Sequence, residues 1–424
     1  MGGGRSARRA FGMSDGGAKQ GMISVDEAKR RLLALIQPVG AEQVAVSEAA
    51  GRVLAEDVAA RRTQPPFPAS AMDGYAARCA DLKNIPAKLK VVGNVPAGQA
   101  YGKTLKSGEA VRIFTGAPVP EGADCIVIQE DTERDGDTVI VKEMPKPGRH
   151  IRSAGLDFRE GDAMLKAGSR LSPRDVGLAA AMNRPWLLVR RKPRVAILPT
   201  GDEVVLPGDP LGPNQIVSSN GIALAAFVTG EGGVPVQLPI APDNSDALRA
   251  IAEGATGADL LLTTGGASVG EHDLVRSALG ADGLSLDFWT VAMRPGKPLM
   301  VGKYRATPMI GLPGNPVSAL VCALLFVKPA LEKLQGLAEA GAAKPKARLA
   351  KDLPANDRRQ DYLRARLARG ADGVAEATPF DKQDSSMMSL LARADCLVVR
   401  PPNAPPAKKG DWVEIVPLGP IGAV

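Results

Sequence analysis

The run LLLTTGGASVGEHD, Leu260–Asp273, decides how the chain folds. Leu260 to Thr263 are apolar or β-branched and read as a buried strand, which runs on into Gly265-Gly266 and then a polar segment ending at Asp273. A buried strand that breaks at glycines and continues as a helix is the βα unit of an open α/β sheet. Glycines let the backbone approach a ligand, and unpaired N–H groups at a helix start attract negative charge. The same turn also serves as a plain tight connection in many folds. GGASVG contains no Lys, so it is not a P-loop, and its glycine spacing is not the dinucleotide fingerprint.

Outward from this stretch the pattern repeats. Val195–Leu198 is a buried strand ending in Pro199-Thr200-Gly201-Asp202-Glu203. Ser219-Asn220 opens a helix over Ile222–Thr229, Val234–Ile240 is a strand, and Asp243-Asn244-Ser245 starts another helix. Leu286–Trp289 and Met309–Leu312 complete the sheet, and Pro316–Leu334 is a long closing helix. Repeated βα units predict a parallel, doubly wound sheet that binds ligands beyond the carboxyl ends of its strands. Four glycine-bearing loops lie there: 200–203, 265–273, 294–298 and 312–316. They carry the carboxylates Asp202, Glu203 and Asp273, the cations Arg294 and Lys297, and backbone donors. Such a mixture suits a polyanion with a divalent cation, because hard cations take carboxylate oxygens while Lys, Arg and N–H groups hold phosphates.

Upstream, Ser24 with Glu27 three residues later predicts a capping box on a first helix carrying Ala28, Leu32, Leu33 and Ile36. A second helix is expected over Val46–Leu54. Gln64–Ala76 holds three prolines and then Asp73-Gly74. That composition fits either a proline-rich linker or a rigid arm that fixes Asp73 in a site. Residues 77–150 show short apolar runs between Pro/Gly turns, with a hairpin tip at Asp135-Gly136-Asp137. Ser172-Pro173 caps an Ala-rich helix over Val176–Met182, expected to pack with the first helices. The end of the chain shows short strands between proline-rich turns, as in a small barrel or sandwich. The resulting layout is multidomain α/β plus β. It comprises a disordered extension at 1–22, a discontinuous helical domain at 23–62 and 151–190, and a β insert at 63–150. An α/β module at 191–340 and a C-terminal β-barrel at 341–424 complete it.

Composition narrows the function. The net charge of +7 is partly due to Arg5, Arg8 and Arg9, so the body is only mildly basic. An anion site fits this better than a nucleic-acid surface, which needs clustered Lys/Arg and stacking aromatics. No apolar run is long enough for a membrane span. The four cysteines lack CxxC spacing and only two His are present, which argues against a Cys/His zinc site and for a reducing compartment.

PPFPASAMDGYA (65–76), FTGAPVPEGAD (114–124), PTGDEVVLPG (199–208), TTGGASVGEHD (263–273), RPGKP (294–298) and GLPGNPVSA (311–319), in this order, resemble the molybdopterin molybdenumtransferase family. These are the MoeA-type molybdenum insertases, which include the gephyrin E domain. The resemblance runs from about residue 23 to the C-terminus. It implies a cytoplasmic enzyme that takes adenylylated molybdopterin and molybdate as substrates with Mg²⁺ as cofactor, and releases AMP in the last step of molybdenum-cofactor synthesis. It further implies a homodimer whose site joins the sheet module of one subunit to the Asp73 segment of the other. The implied partners are a molybdopterin adenylyltransferase that supplies the substrate, and proteins that deliver the cofactor to molybdoenzymes.

The family's acidic positions fall on Asp73, Asp157, Glu203, Asp243 and Asp273, the expected catalytic residues. Molybdate is an anion, so these carboxylates suit Mg²⁺ ligation, with Glu203 and Asp273 as metal candidates, or orientation of water or a protonated oxo group. Substrate contacts are expected from Thr200, Gly201 and Asp202, from Ser219 and Asn220, and from Gly265, Gly266, Ser268 and Gly270. Arg294, Gly296, Lys297 and Pro298, then Gly314 and Asn315, complete the set. Two departures stand out. Ile216-Val217-Ser218-Ser219-Asn220 replaces an Ile-Tyr-Asp-Ser-Asn-like stretch, and Thr290 and Arg294 stand where Lys is frequent. A non-catalytic molybdopterin-binding scaffold and a nucleotidyltransferase on the same module are the competing expectations.

Overall fold

The computed structural model describes residues 22–265, 274–338 and 344–419. Gly266, Ser268, Gly270 and Asp273, and the extension up to residue 21, lie outside the described residues. Two compact units divide the chain. One holds the described residues up to Val39, Lys192–Leu334 and the described C-terminal residues; the other holds Gly40–Arg191 with Gln335–Ala338.

The first unit is built on a six-stranded sheet: β1 (Arg194–Pro199), β2 (Val234–Gln237), β3 (Leu260–Thr264), β4 (Leu284–Thr290), β5 (Pro298–Tyr304) and β6 (Thr307–Leu312). Its order is β2-β1-β3-β6-β5-β4. The pairs β2/β1, β1/β3 and β3/β6 are parallel, whereas β6/β5 and β5/β4 are antiparallel. The sheet is therefore doubly wound but mixed, not wholly parallel. The missed strand is β5. Its sequence follows directly on a Pro/Gly loop, and its tight turn to β6 through Arg305 permits only antiparallel pairing. Side chains alternate between two cores. Val195, Ile197, Leu260 and Leu262 face one, with the helices Asn220–Gly230 and Pro316–Cys322; Ala196, Leu198 and Leu261 face the other, with the helices Ser245–Ala252 and Leu274–Gly280.

Helix Val25–Leu35 buries Val25, Ala28 and Leu32, together with its C-cap Ile36, in the first of these cores. The Ala-rich helix Pro173–Ala181, expected to form one domain with it, belongs to the other unit. Two fully buried large aliphatics, Leu32 and Ile36, gain about 1.5–3 kcal/mol each from leaving water, which decides where the helix docks. Only half of the expected capping box forms. Ser24 Oγ accepts the Glu27 N–H at 3.2 Å, but the Glu27 carboxylate turns to Arg30 and Arg31 instead. The Arg30 guanidinium, then that of Arg31, holds Glu27 down to about 2.

The C-terminal strands Lys346–Leu349, Gln360–Arg369, Ala375–Pro379, Cys396–Arg400 and Trp412–Pro417 close into a five-stranded barrel. Closure follows because Gln360–Arg369 pairs with both Ala375–Pro379 and Cys396–Arg400. Met293–Arg294 adds a short parallel pairing to Gln360–Asp361, which ties the loop before β5 to the barrel.

In the second unit, the helix expected over Val46–Leu54 is reduced to a 3₁₀ turn at Val46–Glu48, which follows the strand Ala41–Ala45 paired with Trp186–Arg190. Val53 and Leu54 instead bridge to Arg170 and Val189, and the Gly51, Leu54 and Ala55 N–H groups donate to Leu171 O, Ser169 O and Leu188 O, so these backbone groups serve other segments and not a helix. The β insert is a six-stranded sheet centred on Gly74–Ala77, Glu109–Ile113 and Ala87–Val95. Thr132–Asp135 and Thr138–Val141 form the expected hairpin, with Gly136 at φ +57°.

Candidate active site

Three strand ends and two helix starts enclose a cavity of about 550 Å³. The wall is built from Thr200 and Glu203 after β1, Thr264 and Gly265 at the end of β3, Gly314 and Asn315 after β6, and Ser219 and Asn220 at a helix start; Pro298 also lines it. Gly265 has φ +94°, and a Cβ there would lie 2.5 Å from Thr200 O, so only glycine lets the two strand ends meet.

Asn220 locks this floor. Its Nδ2 donates to Thr264 Oγ1 at 2.9 Å and to Gly314 O at 2.7 Å. Both amide hydrogens are thus engaged with the protein. Ser219 is the N-cap of helix Asn220–Gly230 but makes no side-chain cap bond, so the first N–H groups of that helix need another partner. Thr200 is 4% exposed, and its Oγ1 has no hydrogen-bond partner among the described residues. Glu203 is the one charged side chain among the described lining residues. An anion held here would meet neutral donors, and a cation would meet Glu203.

Other expected residues lie off this wall. Asp202 Oδ1 accepts the Asp243 N–H at 2.9 Å, which ties the β1 loop to the start of the helix after β2; both carboxylates are exposed. Gly201 is buried at φ +133° beside the Glu203 carboxylate. Gly296, at φ +104°, sits under Cys322, where a Cβ would lie 2.5 Å from the sulfur. Lys297 is exposed. Arg294 Nε donates to Asp361 Oδ1 at 3.0 Å, Nη2 donates to Asp361 Oδ2, and Nη1 reaches Asp357 at 3.5 Å. This pairing raises the arginine above its ordinary range and fastens the loop to the barrel. Arg294 lines a separate cavity of about 610 Å³ with Asp361 and Arg400.

Asp73 and Asp157 belong to the other unit. Asp73 Oδ1 accepts from Thr115 N and Thr115 Oγ1, both at 2.8 Å. The Thr115 N–H first, and its hydroxyl second, hold the Asp73 carboxyl below the usual carboxylate range. Asp157 is exposed, and its N–H donates to Gln64 O at 3.1 Å.

Thr264 and Ser385 were not foreseen as site residues. Ser385 Oγ accepts from Asn315 Nδ2 at 3.1 Å, and Ser385 O accepts from Val317 N at 3.1 Å, which docks a barrel loop on the start of helix Pro316–Cys322. No local sequence signal marks a contact between segments so far apart.

Residues 23–183 match the family described as "MoeA N-terminal region (domain I and II)", 196–333 the "Probable molybdopterin binding domain", and 346–418 the "MoeA C-terminal region (domain IV)". The molybdopterin molybdenumtransferase of Nostoc sp. (strain PCC 7120) is 37% identical over 397 residues, covering 90% of each chain. The chain belongs to the molybdopterin molybdenumtransferase family. The molybdopterin molybdenumtransferase of Haemophilus influenzae is 34% identical over 403 residues, 94% of this chain and 99% of its own. The solved molybdopterin biosynthesis moeA protein of Pyrococcus horikoshii OT3 superposes with a TM-score of 0.80 at 30% identity, covering 93% of this chain and 99% of its own. In the family frame, the cavity lies wholly within the segment that matches the molybdopterin-binding domain.

Proposed function

We propose that the chain inserts molybdate into adenylylated molybdopterin and releases AMP, the last step of molybdenum-cofactor synthesis. The observation that carries this is the cavity of about 550 Å³ inside the molybdopterin-binding segment, walled by glycine turns and a helix start. Phosphate groups suit such neutral N–H donors. Two dithiolene thiols lose their protons as two Mo–S bonds form, and an oxo group of molybdate leaves with those protons as water. Water also cleaves the phosphoanhydride, leaving the molybdopterin phosphate and AMP. Asp73, held below the usual carboxylate range, is ionised at neutral pH and so accepts a proton or orients water; it does not donate one.

Glu203 on the cavity wall suits Mg²⁺ held by one or two carboxylates plus substrate phosphates and water. Glu203, with Asp273, would hold it, and the ion would supply charge neutralisation at the phosphates. We assign the active form as a cytoplasmic homodimer in which Asp73 and Asp157 of one subunit complete the cavity of the other. An adenylyltransferase supplies its substrate, and delivery proteins take up its product. No helix among the described residues is long and apolar enough to cross a membrane.

The test combines AMP release and cofactor formation with subunit complementation. Asp73→Asn and Glu203→Gln each abolish both products in homodimers. Mixing the two variants under subunit exchange restores about a quarter of wild-type activity, because half of the dimers then hold one intact shared site. No recovery on mixing, with exchange demonstrated, overturns the shared site. Substrate binding without either product in the wild-type protein overturns the transferase in favour of a scaffold.

A further inference from the structure

A second cluster of chemistry-bearing side chains lies in the β insert. Strands Gly74–Ala77 and Cys125–Ile128 pair antiparallel, with Ala77 opposite Cys125. After Ala77 the chain enters the 3₁₀ turn Cys79–Leu82, which brings Cys79 beside Cys125. The two sulfurs and an Asp124 carboxylate oxygen all lie within 4.8 Å of one another, the one such group of three among the described residues. Asp124 is fixed in place: its Oδ1 accepts the Cys79 N–H at 2.6 Å, and its own N–H donates to Ala77 O at 3.1 Å. Both sulfurs are buried, at 6% and 0% residue exposure, while Asp124 is exposed. The cluster thus has two dry sulfur sides and one oxygen edge open to water.

We propose that Cys79, Cys125 and Asp124 form a binding site for a thiophilic divalent cation of the Zn²⁺ type. Tetrahedral zinc, with Zn–S near 2.3 Å and Zn–O near 2.1 Å, places sulfurs about 3.8 Å apart and sulfur and oxygen about 3.6 Å apart. Separations within 4.8 Å need at most about 1 Å of contraction to reach that geometry. The fourth position falls to water on the exposed Asp124 side. Binding releases one proton from each thiol, which now donates weakly to a carbonyl: Cys79 Sγ to Pro145 O at 3.6 Å and Cys125 Sγ to Ala77 O at 3.5 Å. Ala77 O keeps the Asp124 N–H when its thiol partner is lost.

A disulfide fits the geometry less well: it needs the two free sulfurs to close to about 2.05 Å, whereas a tetrahedral zinc seats between sulfurs about 3.8 Å apart. Cys322 and Cys396 are also buried but stand outside any such group among the described residues. A cation here would fasten the far end of the strand that begins directly after Asp73.

The test uses the full-length protein, stripped with chelator and titrated with Co²⁺ as a spectroscopic stand-in for Zn²⁺. One equivalent gives a thiolate-to-cobalt charge-transfer band that Zn²⁺ then displaces. Cys79→Ser and Cys125→Ser each lose the band; Cys322→Ser and Cys396→Ser keep it. Asp124→Asn retains an acceptor for the Cys79 N–H and so folds, but binds Zn²⁺ at least about tenfold more weakly with unchanged melting of the metal-free protein. Absence of the band in the wild-type protein, its survival in both Cys79→Ser and Cys125→Ser, or wild-type affinity in Asp124→Asn overturns the site.

Discussion

Asn220→Ala tests the floor of the cavity. It removes two donors at once, those to Thr264 Oγ1 and Gly314 O. Gly314 is exposed and its carbonyl regains a water, so that bond costs about 0.5–1.5 kcal/mol. Thr264 is 3% exposed, and its hydroxyl is left with the long 3.5 Å contact to Pro313 O. Stranding such a group costs about 1–3 kcal/mol. The expected loss is therefore about 2–4 kcal/mol, read as a fall in melting temperature of roughly 5–12 °C for a unit of this size.

Thr264→Val removes the other side of the bond at nearly constant shape. The double variant should be less destabilised than the sum of the singles by about 0.5–1.5 kcal/mol, since they share one interaction. Loops displaced by even about 1 Å should lower the turnover of molybdenum insertion about 10–100-fold. Thermal melts and the insertion assay on the four proteins measure all of this. A melting point for Asn220→Ala within about a degree of wild type, with strictly additive singles, refutes a clamping role.

Asp361→Ala should cost about 1–3 kcal/mol in urea unfolding: Asp361 is buried, but the Arg294 it leaves behind is 49% exposed and rehydrates. Gly74→Ala places a Cβ about 2.0 Å from Val127 O in the middle of the insert sheet, so loss of the folded insert, followed by limited proteolysis, is expected. In the proposed mechanism Asp73 acts ionised; its folded pKa is depressed, so the ionised form is lost only as pH falls through that low value. Thr115→Val keeps the N–H donor, the larger cause of the depression, but deletes the hydroxyl, which lets the carboxyl rise part of the way toward the ordinary carboxylate range. The ratio of variant to wild-type insertion rate should then fall as pH is lowered toward about 4, and a pH-independent ratio removes the hydroxyl from the account.

Local patterns made the strands and their glycine breaks legible; contacts between distant segments stayed hidden. The runs Leu260–Thr263 and Val195–Leu198 each identify a doubly buried strand, because three or four successive apolar residues require cover on both faces. Gly265 could be marked as a close approach, but not that Thr200 O is what it approaches. Helix Val25–Leu35 displays its apolar stripe plainly, yet a stripe names no partner: flanking the β insert suggests one domain with the Ala-rich helix, whereas its buried residues join the core of the six-stranded sheet. Strand β5 was hidden because Pro298 and Gly302 look like breakers; Gly302 is instead required, since a Cβ there would lie 2.2 Å from Ser285 O on β4.

The same limit governs function. Arg294 could be recognised as a cation beyond a strand end, and a free cation there would be an anion ligand. Its role depends on Asp361, a residue of the barrel, whose carboxylate forms the two-pronged pair that only a guanidinium can complete. Cys79 and Cys125, without CxxC spacing, gave no metal signal, because sheet register and a 3₁₀ turn do what local spacing does in a zinc finger. Charge and residue type therefore identify which side chains can do chemistry, while register decides which of them meet. In this chain the two diverge at Arg294, where register neutralises a cation, and at Cys79, Asp124 and Cys125, where it assembles three ligands from residues that each look inert alone.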